Sequence, residues 1–349
     1  MINTIFGGRN PAKEGPVFVA EISANHAQSL DRAIELIHVA RDIGADAVKL
    51  QTYSASEMTV RSSSPDFIVT DWSPDWDGKS MYELYDAAHT PREWHSTLFK
   101  ESESAGIVCF SSPFSPTGVD FLQDLGCPAY KIASFENNDV ELLEAVGSTG
   151  KPVVISTGAS DLPEIFRAIE IIRSCDAGEV VLLHCTSAYP APHDELNLNA
   201  MHTLASASGC PVGFSDHSEG IGAAVAAATL GAFMIEKHLT LEDDEITADS
   251  HFSLRPDEFQ SMIVESKRAV QSLGGTQIVV SQSELGNRKE KRSLFFRSDL
   301  PEGTVLDRAH VVSLRPRTGL EPIDLSWVEG RPLKSAVGAG EPVTANLFG

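Results

Sequence analysis

A chain of 349 residues that is 42% hydrophobic and 22% charged has an ordinary globular composition, with room for one barrel-sized domain of roughly 250 residues and a small second module. Its 49 acidic and 27 basic residues leave a net charge of -22, which repels polyanions and sets aside nucleic acid and anionic membranes as partners. No stretch approaches the ~20 apolar residues of a membrane span, MINTIFGGRNPAKEGP has no signal-peptide pattern, and Cys109, Cys127, Cys175, Cys185 and Cys210 form no CxxC pair, so a reduced, cytoplasmic protein is expected.

Short apolar runs alternate with helical patterns along most of the chain. VFVAEI (17–22) is followed by SLDRAIELIHVARDIGAD (29–46), which has apolar residues at helical spacing and Gly44 as its cap. AVKLQTY (47–53) leads into an aromatic, Pro-containing segment, 54–89, expected to cover a barrel mouth. TPREWHSTLFKESESAG (90–106) opens with a Thr cap and a Pro at the first helical position. IVCFSS (107–112), AYKIAS (129–134) and PVVIST (152–157) come next, then the helix DLPEIFRAIEIIRSC (161–175) and the run VVLLHCTS (180–187). PVGFSD (211–216), the helix EGIGAAVAAATLGA (219–232) and FMIEKH (233–238) complete the series.

The eight β-type runs are apolar almost throughout, as in parallel strands buried on both faces, and eight strand–helix units suit closure into a (β/α)8 TIM barrel. A doubly wound sheet would carry GxGxxG after its first strand, and AEISANH is not that motif. After PDEFQSMIVESKRAVQSLGG (256–275) the pattern changes. The expected division is a barrel over 1–280, a polar linker over 281–293, and a small β-rich module over 294–349.

Each apolar run finishes in polar or ionisable residues, and a barrel sends all eight C-terminal ends to one face. These are Glu21; Lys49 and Gln51; Ser111 and Ser112; Lys131 and Ser134; Ser156 and Thr157; His184, Thr186 and Ser187; Ser215 to His217; and Glu236 to His238. A lone serine there can simply mark where a strand meets water. Lys49 and Lys131 interrupt apolar runs, where an unpaired ammonium is unfavourable, so they point to a phosphate or carboxylate cradle. Lys131 could equally serve as a Schiff-base nucleophile, as in barrel aldolases. His217 and His238 end adjacent strands, each flanked by a carboxylate, and can share one divalent metal with Glu21 or Glu236 nearby. For an isolated histidine a backbone hydrogen bond is the ordinary explanation; His38 and His95 lie on helices and are read as surface or packing residues, and His184 sits inside the sixth strand. Asp249, in the loop after the eighth strand, is a candidate acid/base group, although loop aspartates commonly cap or turn.

VAEISANH, GADAVKLQTY, SSPF, YKIASFEN, KPVVISTG, LLHCTSAYPAP, GFSDHSEG, IEKHLTL and ADSHFSL, in this order, resemble the sialic acid synthase family over nearly the whole chain. The terminal module looks like that family's antifreeze-like (SAF) domain, with LRPRTGL at 314–320 as its sugar-contacting motif. The resemblance implies condensation of phosphoenolpyruvate with an N-acetylated amino sugar to a nine-carbon 2-keto acid and phosphate. It also implies a divalent metal, Mn2+, and a domain-swapped homodimer. By motif position, His217 and His238 match the metal ligands, and Lys49, Ser112, Lys131, Ser134, Ser156, Ser187 and Ser215 match the phosphoenolpyruvate site. Gln51, Tyr189, Glu236 and Asp249 match the sugar side, with Arg315 arriving from the partner subunit. On this reading Glu21 deprotonates the attacking water, the two lysines stabilise departing phosphate, and Asp249 manages sugar protons. KIASFEN and TSAYPAP look more like the pseudaminic acid and spore coat branches than the N-acetylneuraminate branch. Two departures stand out: Thr247-Ala248 replaces the family's Gly-Pro before the mouth aspartate, and Arg317 stands where a smaller residue is common. A non-catalytic sugar-binding protein is the remaining alternative.

Overall fold

The structure, a computed structural model, describes residue 5 and residues 10–70, 76–241 and 246–349. It divides into two units, Met1–Gly274 and Gly275–Gly349. The first ends at Gly274, ahead of the expected boundary at 280, because its last helix stops at Leu273 and every residue from 271 to 292 is exposed.

Eight strands close the barrel in chain order: β1 Val17–Glu21, β2 Ala47–Thr52, β3 Val108–Pro113, β4 Tyr130–Ile132, β5 Val153–Ser156, β6 Val180–His184, β7 Val212–Asp216 and β8 Met234–His238. All neighbours pair in parallel and β8 returns to β1, so no strand edge is left open. The outer helices are α1 Leu30–Asp42, α2 Arg92–Ala105, α3 Pro116–Asp124, α4 Val140–Gly147, α5 Leu162–Ser174, α6 Ala200–Ser208, α7 Gly222–Thr229 and α8 Pro256–Leu273. One continuous core joins them, from Phe18 and Leu36 through Phe110, Tyr130 and Phe214 to Phe259.

Local chemistry sets the helix ends. Gly44, at φ +90, donates to Arg41 O at 3.1 Å just past α1, as a left-handed residue there should. The expected Thr90 cap on α2 is not formed. Pro91 holds the N-cap position without a side-chain bond, and the Thr90 hydroxyl lies 3.2 Å from His26 Nε2. A residue before proline is driven into extended backbone, which directs Thr90 toward the loop after β1 instead.

The 54–89 excursion contains the short helices Ala55–Met58 and Met81–Ala88, with residues 71–75 outside the described set. Glu57 pins its start, accepting from Arg92 at 2.6 Å, Ser115 at 2.5 Å and Thr117 at 2.8 Å. Val69 and Leu84 then pack with Ala24 and Ala248 in a small apolar cluster of their own. Among the described residues no helix is long and apolar enough to cross a membrane.

In the second unit, β9 Ser293–Phe296 pairs antiparallel with β10 Val311–Leu314 over a core that includes Leu306, Val328, Leu333 and Phe348. The expected linker is a 3-10 helix over Gln282–Glu290, and the first strand starts one residue before the expected module.

Candidate active site

The two-residue pleat sorts the polar strand ends into two sets. Ser112 turns inward, taking a 3.3 Å hydrogen bond from Lys49 Nζ, while Ser111 turns outward to Thr52 Oγ1 at 2.7 Å. His95, on α2, joins that outer group at 2.8 Å from Thr52 Oγ1, and His184 faces Leu196 O at 2.7 Å. Both are therefore packing histidines. His38 pairs with Glu101 at 3.5 Å on the surface. The inward set converges on a cavity of 440 Å³ lined by Lys49, Gln51, Lys131, Ser134, Ser156, Tyr189, Ser215, His217, Glu236, His238 and Asp249. Of the remaining candidates in this unit, Glu21 and Ser112 stand directly behind Lys49, and Ser187 stands behind Ser134 and Gly158.

Lys131 donates to Ser156 Oγ at 2.6 Å and to Ile132 O at 2.9 Å, so its head is aimed by strand ends β4 and β5. Burial lowers its pKa, against the pull of Glu236. Lys49 contacts the Glu21 carboxylate and lies 3.8 Å from Glu236 Oε1. Burial opposes its charge, but these carboxylates outweigh it and hold its pKa above the ordinary lysine value. Burial pushes the Glu21 carboxyl up to about 7, against Lys49. Burial also acts on Glu236, yet Lys49, Lys131 and His217 together hold that carboxyl below its usual range. Lys49 therefore keeps an ionised partner even when Glu21 takes a proton.

Gly158, just after β5, lies among the hydroxyls next to these lysines. A Cβ there would lie 2.1 Å from Ser187 Oγ and 2.8 Å from Ser134 Oγ and Cys185 Sγ. Only glycine lets these groups pack this closely against the backbone.

Across the cavity the rings of His217 and His238 have centroids 5.6 Å apart. His217 Nδ1 lies 3.3 Å from Thr186 O. A carbonyl only accepts, so Nδ1 carries the hydrogen and Nε2 keeps its lone pair, the arrangement of a metal-ligating histidine. Burial lowers the His217 pKa to about 4 and the His238 pKa well below its usual value. Glu236 Oε2 and His238 Nδ1 are buried without a hydrogen-bond partner among the described residues. Two neutral imidazoles, one with a buried unpartnered nitrogen, are ligands of the type a divalent cation takes. Among the described residues no three His, Cys, Asp or Glu side chains gather into a metal-holding group, so these two imidazoles are the protein ligands on offer.

Asp249 reaches the cavity although Thr247-Ala248 precedes it. Thr247 donates to Asn25 Oδ1 at 2.6 Å, and Asp249 Oδ2 accepts from Ala24 N at 3.1 Å, which ties this loop back to the one after β1. Burial raises the Asp249 pKa, with hydrogen bonds from Ser23 and Ala24 opposing. Tyr189 packs on His217 with centroids 4.5 Å apart. Arg315 belongs to the other unit, exposed in the turn after β10. Ser293 Oγ shapes that turn, accepting from Thr318 N at 3.0 Å and Gly319 N at 3.1 Å, and Arg317 pairs with Glu321 at 2.5 Å.

Four groups escaped the sequence reading. Phe252 packs against both imidazoles, at 6.1 and 4.7 Å between centroids, and its only signal was its place in ADSHFSL. Glu136 lines the cavity with Oε2 unpartnered among the described residues, and burial pushes its pKa up to about 7. It stands past the end of β4, where no apolar run marked it. Tyr53 forms an aromatic wall with Phe114 and Tyr85, at 5.1 and 5.9 Å. Gly158 carried no chemistry to notice.

A (β/α)8 barrel whose mouth gathers two buried lysines, several hydroxyls and two histidines into one cavity has the form in which barrel enzymes carry their active sites. Comparison with known proteins is specific. The NeuB family model matches residues 36–278 and the SAF domain model residues 291–348. The chain is 40% identical over 330 residues to a pseudaminic acid synthase of Campylobacter jejuni, covering 95% of this chain and 96% of that one. It is 32% identical over 321 residues to the spore coat polysaccharide biosynthesis protein SpsE of Bacillus subtilis, covering 87% and 85%. The crystal structure of an N-acetylneuraminic acid synthetase from Leptospira borgpetersenii superposes with a TM-score of 0.67 at 30% identity, covering 78% of this chain and 90% of that one. The chain belongs to the NeuB family, and it is an enzyme of the acid-synthase class that these relatives represent.

Proposed function

We propose that this enzyme condenses phosphoenolpyruvate with an N-acetylated amino sugar and water, giving a nine-carbon 2-keto acid and phosphate, with a product of the pseudaminic-acid type. The observation that carries it is that Lys49 and Lys131 line the same cavity as His217 and His238. His217 and His238 would hold a divalent metal, taken as Mn2+, which when bound would supply Lewis-acid polarisation of the sugar aldehyde. Lys49 and Lys131 hold the carboxylate and phosphate of phosphoenolpyruvate, with Ser112, Ser134, Ser156, Ser187 and Ser215 completing its hydrogen bonds. Carbon 3 attacks the aldehyde carbon, and water adds at carbon 2 as Glu21, with its pKa near 7, takes the water's proton. The lysines stabilise phosphate as it leaves. Gln51, Tyr189, Glu236 and Asp249 orient the sugar, Asp249 holding protons at its oxygens. Support for the pseudaminic-type acceptor comes from relatives bearing that name at 39 to 41% identity, against 28% for the human N-acetylneuraminate-9-phosphate synthase.

We further propose a domain-swapped homodimer that brings Arg315 to the partner's sugar site. Its support is the fully exposed stretch 271–292, in which Leu273, Ile278, Val279, Val280 and Leu285 present apolar surface. A cytoplasmic setting accords with the five free cysteines.

The test is phosphate release from phosphoenolpyruvate with Mn2+ and a panel of mono- and di-acetamido hexoses. Turnover with one or more confirms the reading, and none with any aldose sinks it. One observation favours a second reading: burial lowers the pKa of Lys131, which suits a Schiff-base lysine. A borohydride-trapped adduct at Lys131 would establish that chemistry instead.

A further inference from the structure

Asp216 and Lys237 lie on the outer face of the barrel, one residue before each imidazole. Both side chains are 0% exposed and their charges meet at 2.9 Å. They are direct partners in the β7–β8 register, and the pleat aims both away from the cavity. Ser218 closes the arrangement. Its N–H and hydroxyl donate to Asp216 Oδ1 at 2.9 and 2.6 Å, and its carbonyl accepts from Lys237 Nζ at 2.6 Å. Both chain neighbours of His217 are thereby tied to the residue immediately before His238.

Withdrawing two full charges from water is unfavourable, and apolar side chains of similar volume hold strands together at least as well. What an ion pair with both members hydrogen-bonded to Ser218 adds is a single permitted geometry. A slip of one residue between β7 and β8 would turn an imidazole to the outer face, and a smaller shift would change the spacing of the two rings. Among the described residues the His217 imidazole meets Thr186 O at 3.3 Å and the His217 carbonyl accepts from Ala191 N at 2.9 Å, so the ring's placement depends in part on its backbone.

We infer that Asp216, Lys237 and Ser218 form a positioning clamp that sets the spacing and orientation of His217 and His238 for one shared divalent cation. The inference rests on reading the two imidazoles as metal ligands. Metal–nitrogen bonds tolerate displacements of only about 0.2 Å, so the clamp acts on affinity without touching the cation.

The test is Mn2+ titration of metal-stripped protein, by calorimetry and by the electron paramagnetic resonance of bound Mn2+. The double variant Asp216→Leu/Lys237→Met removes the charges together and leaves neither one buried alone. It should melt cooperatively, bind Mn2+ at least tenfold more weakly and show an altered bound-Mn2+ spectrum. Its kcat should recover in excess Mn2+, with the KM for phosphoenolpyruvate within twofold of wild type. A folded double variant with wild-type Mn2+ affinity overturns the clamp. If that variant does not fold, Ser218→Ala decides by the same titration: a threefold or greater weakening supports the clamp, and unchanged affinity overturns it. Wild-type protein that binds no Mn2+, or His217→Ala that binds it as wild type does, removes the metal reading itself.

Discussion

Glu21 and Lys49 are register partners across β1 and β2, with the carboxylate against the ammonium and both side chains buried. Glu21 is also the register partner of His238 on its other side. One carboxyl thus lies on the strand between those of Lys49 and His238, and the proposed mechanism gives it the proton released by water.

Glu21→Gln keeps the shape and removes the proton acceptor. Lys49 retains Glu236 at 3.8 Å, so the barrel should stay folded. The expected loss is about 10² to 10⁴ in kcat, the usual contribution of a general base, read as the rate of phosphate release. Activity within threefold of wild type would remove Glu21 from the proton transfer.

His217→Ala should abolish turnover and weaken Mn2+ binding while the circular dichroism spectrum and a cooperative melt persist. His217 lies at a strand end, outside the continuous apolar core. Full activity in metal-free buffer would contradict its role.

Gly158→Ala places a methyl group 2.1 Å from Ser187 Oγ and 2.8 Å from Ser134 Oγ, displacing two hydroxyls proposed to bind phosphoenolpyruvate. The KM for phosphoenolpyruvate should rise at least tenfold, with the sugar KM changed much less. An unchanged KM would mean that the anion binds elsewhere beside the lysines.

His95 is fully buried and burial lowers its pKa to about 4, from an ordinary value of 6.5. The folded state therefore binds this proton more weakly than the unfolded state does. The stability His95 allows is intact above pH 6.5 and falls as the pH drops toward 4, by up to ~3 kcal/mol. Glu136, pushed up to about 7 by burial, acts in the opposite sense, so the informative quantity is a difference between proteins. Urea unfolding of wild type and His95→Gln at pH 7 and pH 5 should show wild type losing more on acidification. Equal losses would mean that His95 protonates freely in the fold.

Arg315→Ala and His217→Ala should each be inactive or strongly impaired alone, yet co-refolded mixtures should regain activity. In a swapped heterodimer, the barrel with an intact His217 receives Arg315 from the other chain. No recovery in mixtures shown to contain heterodimers would place Arg315 in its own subunit's site or outside the site altogether.

Much of the barrel was legible from the chain alone. Parallel strands covered on both faces leave unbroken apolar runs, and eight of these separated by helical patterns permit few other architectures. Lysines inside such runs, and histidines at their ends, were visible because charge there is unfavourable without a partner. Tertiary structure decided which polar groups face which way. Ser111 and Ser112 are adjacent in sequence, but the pleat sends one to His95 and Thr52 and the other to Lys49. Asp249 and Ala24 are 225 positions apart and meet only through barrel closure. Gly158, Glu136 and Phe252 lie within KPVVISTG, YKIASFEN and ADSHFSL but carry no chemical signal of their own, since each matters through what surrounds it. The outward pair Asp216 and Lys237 carries the same kind of signal as Lys49 and Lys131, an ionisable residue in an apolar run. A run apolar on both faces does not reveal its phase, and only the paired strands show which charges face the cavity and which lie behind it.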